Sequence, residues 1–163
     1  MISLIQLSPD DDRNVYEMLQ RIKLNENEFT NSANGLNYES YKKWLIEQDN
    51  WSKGIGLPSG YVPQTIYWLY DERIPVGMGK IRHRLTQTSR IAGGNIGYAI
   101  DPTYRGRGYG NYLLEKLIQQ SKIMGIEEIL LTVIKSNLAS RAVIEKNGGK
   151  YIGEKSDIWY FKV

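Results

Sequence analysis

A mixed α/β fold is what this sequence predicts, and three features predict it. Strand-like segments come first as a meander, at 65–70 and 75–83. One strand–loop–helix–strand unit then occupies residues 95–134. The 163 residues, 41% apolar and 24% charged, have the length for one buried core and the balance of an ordinary globular protein. Strands followed by a crossover unit make a mixed α/β pattern, read here as one domain over 1–163.

The elements follow in order. Residues 2–7, ISLIQL, predict a strand, and Ser8-Pro9-Asp10 then starts a helix to about Leu24. A second helix fits 38–51, because Tyr41, Trp44 and Leu45 fall on one face. The Gly/Pro/Ser stretch 52–64 is a loop. TIYWLY (65–70), a turn at Asp71-Glu72-Arg73 and PVGMGKIRH (75–83) form a hairpin. After a loop rich in Gly and Ser comes a strand at 95–100, NIGYAI. A helix over 108–124, a buried strand EILLTVI at 128–134, a short helix near 138–147 and closing strands over 150–163 complete the chain. No repeat or low-complexity segment interrupts it.

Composition excludes several classes. No run of about 18 apolar residues exists, so no membrane span is expected, and the N-terminus lacks the basic and apolar regions of a secretory signal. The absence of cysteine removes disulfides and thiolate metal sites and suits a reducing compartment, the cytoplasm. With a single histidine, a zinc site is not expected. The net charge of +3 suits an anionic ligand, but the basic residues are scattered and form no tract of nucleic-acid type.

The chemistry concentrates in Arg105-Gly106-Arg107-Gly108-Tyr109-Gly110. It lies between a strand ended by Asp101-Pro102, where proline forbids further pairing, and an amphipathic helix with small or apolar residues at 110, 113, 114, 117, 118 and 121. Glycines let the backbone take positive φ and let a ligand approach. The first N–H groups of a helix have no intrahelical partner and sit at its positive end. Together these make an anion cradle suited to phosphate, with the arginines adding attraction. A Walker loop needs Lys and Ser/Thr after the last glycine, and Asn111-Tyr112 stand there. A dinucleotide fingerprint needs a glycine where Asn111 stands and an acidic residue where Lys135-Ser136 stand.

These residues resemble the GCN5-related N-acetyltransferase (GNAT) family. Its cofactor loop, Arg/Gln-x-x-Gly-x-Gly/Ala, matches 105–110; its strand ending in Val/Ile-x-Pro is similar to Tyr98-Ala99-Ile100-Asp101-Pro102; and Asn137-x-x-Ser140-Arg141-x-x-x-Glu145-Lys146-x-Gly148 resembles its closing motif. The resemblance covers about 95–153. It implies a mixed, mostly antiparallel sheet of six or seven strands, in which the fourth and fifth, here 95–100 and 128–134, splay apart to admit the pantetheine arm of acetyl-coenzyme A. It further implies that the backbones of Tyr98 and Ile100 bond that arm, that Tyr98 N–H holds the thioester oxyanion, and that the diphosphate rests on Arg105, Gly106, Arg107, Gly108, Tyr109 and Gly110. Asn137 would reach the cofactor from the other wall. The implied reaction is direct acetyl transfer to a primary amine on a small molecule or peptide. The family often dimerises, so a homodimer and a monomer both stay open as the assembly.

The chain departs from the common pattern at one catalytic position. Many members carry a tyrosine acid in Tyr-Glu-Lys-x-Gly-Phe, and here the segment is Ile144-Glu145-Lys146-Asn147-Gly148-Gly149. Its form resembles the subgroup acting on ribosomal-protein N-termini, where a serine at the position of Ser140 is the acid. Ser140 takes that role here, against the alternative that it caps its helix. The missing tyrosine also leaves open a non-catalytic acyl-CoA-binding module. For the base, His83 has a suitable pKa but ends an exposed-looking strand, and Glu26, Glu28 or a water chain compete with it. Tyr38, Trp51, Tyr61, Tyr67, Trp68 and Tyr70 are expected in the core, one or two of them walling the acceptor site.

Overall fold

The computed structural model describes residues 1–163 throughout. In chain order the elements are β1 (Ile2–Gln6), α1 (Arg13–Arg21), β2 (Asn25–Glu26), β3 (Phe29–Thr30), α2 (Tyr38–Ser52), β4 (Gln64–Asp71), β5 (Ile74–Arg82) and α3 (Gln87–Ile91). Then follow β6 (Ile96–Ile100), a 3-10 turn at Pro102–Tyr104, α4 (Tyr109–Ile123), β7 (Leu130–Ile134), α5 (Leu138–Lys146), β8 (Lys150–Lys155) and β9 (Ile158–Lys162). The mixed α/β fold expected from the sequence is the one that forms. Its seven long strands make two antiparallel halves, ordered β1-β4-β5-β6 and β7-β9-β8.

Strand alternation sends successive residues of β5 to opposite faces. Ile81 joins a core with Leu113, Leu114, Leu117 and Ile118 of α4, whereas Met78 joins a second core with Val15 and Met18 of α1 and Tyr41, Trp44 and Leu45 of α2. Burying each such side chain is worth about 1.5–3 kcal/mol, so α4 is clamped against the sheet with its N-terminus beside the end of β6.

Several boundaries differ from the sequence reading. Helix α1 begins at Arg13 rather than near Asp10, because Asp12 is its cap and accepts from the Asn14 and Val15 amides; it ends at Arg21, short of Leu24. The loop after β5 contains α3, held by a Thr86–Ser89 capping box, too short to show an apolar period. The β2–β3 hairpin between the first two helices is likewise new, turning through Asn27 and Glu28, both at positive φ.

The two half-sheets meet only at their base. The Asn95 amide donates to the Leu130 carbonyl at 2.8 Å, and the Asn95 side-chain Oδ1 accepts the Leu130 amide at 2.9 Å. By using a side chain where a parallel strand would use its backbone, Asn95 ends the pairing after one step. From there β6 and β7 separate. Gly94 makes the meeting possible: it sits at φ +60°, and a Cβ there would lie 2.3 Å from the Leu130 carbonyl oxygen.

Candidate active site

The gap between β6 and β7 is a cavity of about 640 Å³, lined from the β2–β3 hairpin through both strands to α5. The ladder register says which main-chain groups face it. Arg82 N–H donates to Asn95 C=O, and Asp101 N–H to Val76 C=O, so alternate residues of β6 between them bond β5. The N–H and C=O groups of Ile96, Tyr98 and Ile100 therefore turn toward the gap. Across it, the Ile129–Val163 and Lys135–Asp157 bonds set the same phase on β7. Leu130, Thr132 and Ile134 face the gap from that side. Thr132 had no signal in the sequence, since its role follows from register alone.

Beyond Ile100 the chain turns sharply. Asp101, with a fully buried side chain, takes Arg21 Nε at 2.8 Å and the Thr103 amide at 2.9 Å. Gly106 at φ +79° and Gly108 at φ +84° then wind the backbone into α4, and Gly108 is the N-cap, with no side chain capping the helix. The N–H groups of residues 106–111 donate to no acceptor within the protein. These six unpaired amides lie at the positive end of a 15-residue helix, and five of their residues, Gly106 and Gly108 through Asn111, line one end of the cavity.

The arginines beside them behave differently from each other. Arg105 lines the cavity, but its guanidinium is engaged by Glu26 and, through Nε, by the Ile100 carbonyl at 3.1 Å. It latches the β2–β3 hairpin over the cleft. Arg107 is exposed, lies 5.5 Å from the Tyr104 ring centroid, and is not part of the lining. Tyr109 lends its backbone to the amide row while its hydroxyl bonds Asp71. Gly110 faces the strand mouth; a Cβ there would touch Ile100 and Tyr98 at ordinary contact distance.

Opposite, Asn137 caps α5 by accepting the Ser140 amide at 3.2 Å. Ser140 is therefore the capped residue rather than the cap. Its hydroxyl bonds the Tyr98 hydroxyl at 2.8 Å, and both residues line the cavity. Burial pushes the Tyr98 phenol above its ordinary value, with Ser140 partly offsetting it. The pair consequently holds two protons, of which one serves the mutual bond and the other is available to a guest. The side chain of Tyr98 is a site group the sequence reading missed, since it looked only to the backbone there.

The carboxylates and the histidine also separate. Arg105 hydrogen-bonded to Glu26 holds that carboxyl below the usual range, with Lys23 contributing, which weakens Glu26 as a base. Glu28 lines the cavity, is exposed and enters no ion pair. His83 does not line the cavity; its Nε2 pairs with Thr65 Oγ1 at 2.7 Å, and burial lowers its pKa. None of Tyr38, Trp51, Tyr61, Tyr67, Trp68 or Tyr70 walls the cleft. The aromatic lining comes instead from Phe29, Tyr98, Tyr104 and Tyr109.

Two further cations line the cavity, Lys80 and Arg82 of β5. The Lys80 ammonium donates to the Thr30 carbonyl and lies 4.9 Å from the Phe29 ring centroid. Arg82 Nη1 donates to the Gly94 carbonyl at 3.1 Å. Burial, and then the Arg82 charge, pushes Lys80 down to about 8. Cations at i and i+2 of a strand were the sequence signal for a shared face, one the reading left unused.

Comparison with known proteins adds the context. The model of the "Acetyltransferase (GNAT) family" matches residues 16–149. The chain is similar to the uncharacterized N-acetyltransferase YfmK of Bacillus subtilis, 29% identical over 84 residues, which are 52% of this chain and 53% of that protein. The match thus spans about half the length of this curated relative. Among solved structures, the N-acetyltransferase PseH of Campylobacter jejuni in complex with acetyl coenzyme A superposes with a TM-score of 0.65 at 14% identity, over 100% of this chain and 98% of that one. The ribosomal alpha-N-protein acetyltransferase RimL in complex with coenzyme A gives 0.73 at 15%, over 99% and 93%. A dodecameric spermidine N-acetyltransferase from Vibrio cholerae gives 0.65 at 14%, over 99% and 92%. At these identities the likeness is one of fold. No helix is long and apolar enough to cross a membrane.

Proposed function

The chain belongs to the acetyltransferase (GNAT) family, and from that premise we propose that it transfers the acetyl group of acetyl-coenzyme A to a primary amine by direct attack in a ternary complex. The observation that carries this reading is the row of amides at 106–111 without protein acceptors, at the end of a cleft between two diverging strands. A diphosphate is dianionic and satisfies several N–H groups at once. The pantetheine amides pair with the main chain of Tyr98 and Ile100 on one side and Thr132 on the other, as an added strand would. Arg107 supplies long-range attraction, Arg105 keeps the hairpin closed, and Asn137 forms the far wall.

The chemistry follows from the same groups. The amine approaches from the β2–β3 side, where the Glu28 carboxylate holds its ammonium and takes the proton. The neutral nitrogen attacks the thioester carbonyl, whose oxygen becomes an oxyanion against Tyr98 N–H. As the intermediate collapses, the C–S bond breaks and the thiolate takes a proton from the Ser140–Tyr98 hydroxyl pair. The second proton of the attacking nitrogen leaves through solvent to restore that pair, giving the neutral amide and free thiol. No covalent enzyme intermediate is needed, so a chain without cysteine is sufficient. The proposal treats 1–163 as one such domain, located in the cytoplasm and self-associating.

Steady-state release of free thiol over a panel of amines tests the function. Amine-dependent release is the expected result; tight acetyl-CoA binding with no turnover on any amine would make the chain a binding module. Within that assay Ser140→Ala should slow turnover at least about tenfold, equivalent to ~1.4 kcal/mol of barrier, with CoA affinity retained. An unaltered rate would reduce the hydroxyl pair to a structural contact.

A further inference from the structure

We infer that the acceptor amine also carries a carboxylate, and that Lys80 and Arg82 read it; this rests on the acetyl-transfer reading above. Both side chains emerge from β5 on the face of Met78, the side covered by α1, α2 and the β2–β3 hairpin. Both line the cavity. Neither takes part in any ion pair of the molecule. Two like charges set side by side in a partly buried place, with no carboxylate from the chain itself, form an arrangement that folding alone disfavours. Their protein partners are neutral carbonyls, Thr30 for Lys80 and Gly94 for Arg82. Each such bond uses one donor, leaving two on the ammonium and the greater part of the guanidinium fork.

The anion that fits them is not the cofactor's. Lys80 pairs with Gly97, and Arg82 bonds Asn95, both near the start of β6, whereas the amide row follows its end at Ile100. At about 3.3 Å per residue, roughly 10–17 Å of strand separates the two anion sites. One diphosphate cannot reach both while its thioester lies in the gap between them. The second site therefore belongs to the second substrate. Glu28, on the hairpin across the same cavity, supplies the complementary charge for the ammonium. A carboxylate offers two oxygens to a guanidinium fork and an ammonium together, so the matching ligand is a small amine bearing a carboxylate.

The test uses product-like ligands, so it reads binding independently of turnover. The protein–CoA complex is titrated calorimetrically with a panel of N-acetyl amino acids and with the N-methylamides of the same compounds. At least one acid is expected to bind about tenfold or more tightly than its neutral amide, as hydrogen bonds to a charged group require. Lys80→Gln and Arg82→Gln should each bring that ratio below about threefold, with CoA affinity serving as the folding control. Equal affinity for acid and amide across the panel, including failure of both to bind, overturns the inference. So does a preference that survives both substitutions. Failure of the acetyl-transfer reading shows elsewhere, as loss of CoA binding or of amine-dependent thiol release.

Discussion

Gly108→Asp is expected to weaken CoA binding by at least about 100-fold, equivalent to ~2.7 kcal/mol, while leaving the fold as stable as before. Gly108 sits at φ +84° as the N-cap of α4, and a Cβ there meets nothing within 4 Å. Aspartate tolerates left-handed backbone better than most residues, so the strain is about 1 kcal/mol. Its carboxylate, however, enters the amide row. There it competes for the N–H groups of Gly110 and Asn111 and repels the diphosphate. As a capping acid at the positive end of a helix it returns about 0.5–1 kcal/mol to the fold. Calorimetric titration with CoA and a thermal melt separate the two effects. Gly108→Asn, with the same shape and no charge, should lose much less affinity. Full affinity in Gly108→Asp would mean that no anion binds there.

Gly94→Ala should lower the stability of the protein by about 3 kcal/mol, a fall of roughly 6–12 °C in Tm for a chain of this size. The added methyl would lie 2.3 Å from the Leu130 carbonyl oxygen and 3.0 Å from its carbon. Both are backbone atoms tied to Asn95 at 2.8 Å, so no side chain can swing aside. The strands must part or the left-handed φ must change, and either costs more than ordinary surface strain. Because this contact is the hinge of the β6–β7 fork, CoA affinity should fall as well. A Tm within about 2 °C of the parent would show that the two half-sheets are joined elsewhere.

What was legible in the sequence is what is local. Arg105 through Gly110 are adjacent in the chain, and the small or apolar spacing from Gly110 onward declares α4. The loop and helix were therefore readable together with the strand before them. The Tyr98–Ser140 pair joins residues 42 apart, and Asn95 meets Leu130 only after β6 and β7 are placed side by side. Neither leaves a periodic trace. Arg105 illustrates the limit from the other direction: its type matched a cofactor-loop position, yet its guanidinium reaches Glu26 on a two-residue strand too short to detect. Of the first-half aromatic residues expected in the core, Tyr67 and Trp68 are buried, Tyr38, Trp51 and Tyr70 are half-buried, and Tyr61 is exposed, because composition does not say which side of an element a ring takes. Which aromatics face the cleft was not legible, because that depends on how the β2–β3 hairpin brings Phe29 across the sheet.

The central claim is that unpartnered amides at 106–111 bind a diphosphate whose thiol arm enters between β6 and β7. Backbone amide NMR during titration with coenzyme A tests it most directly. The account predicts the largest downfield shifts at Gly106, Gly108 and Gly110, followed by Tyr98, Ile100 and Thr132, all saturating at one stoichiometric equivalent. Saturable binding that leaves those glycine amides unmoved and shifts another surface would contradict it.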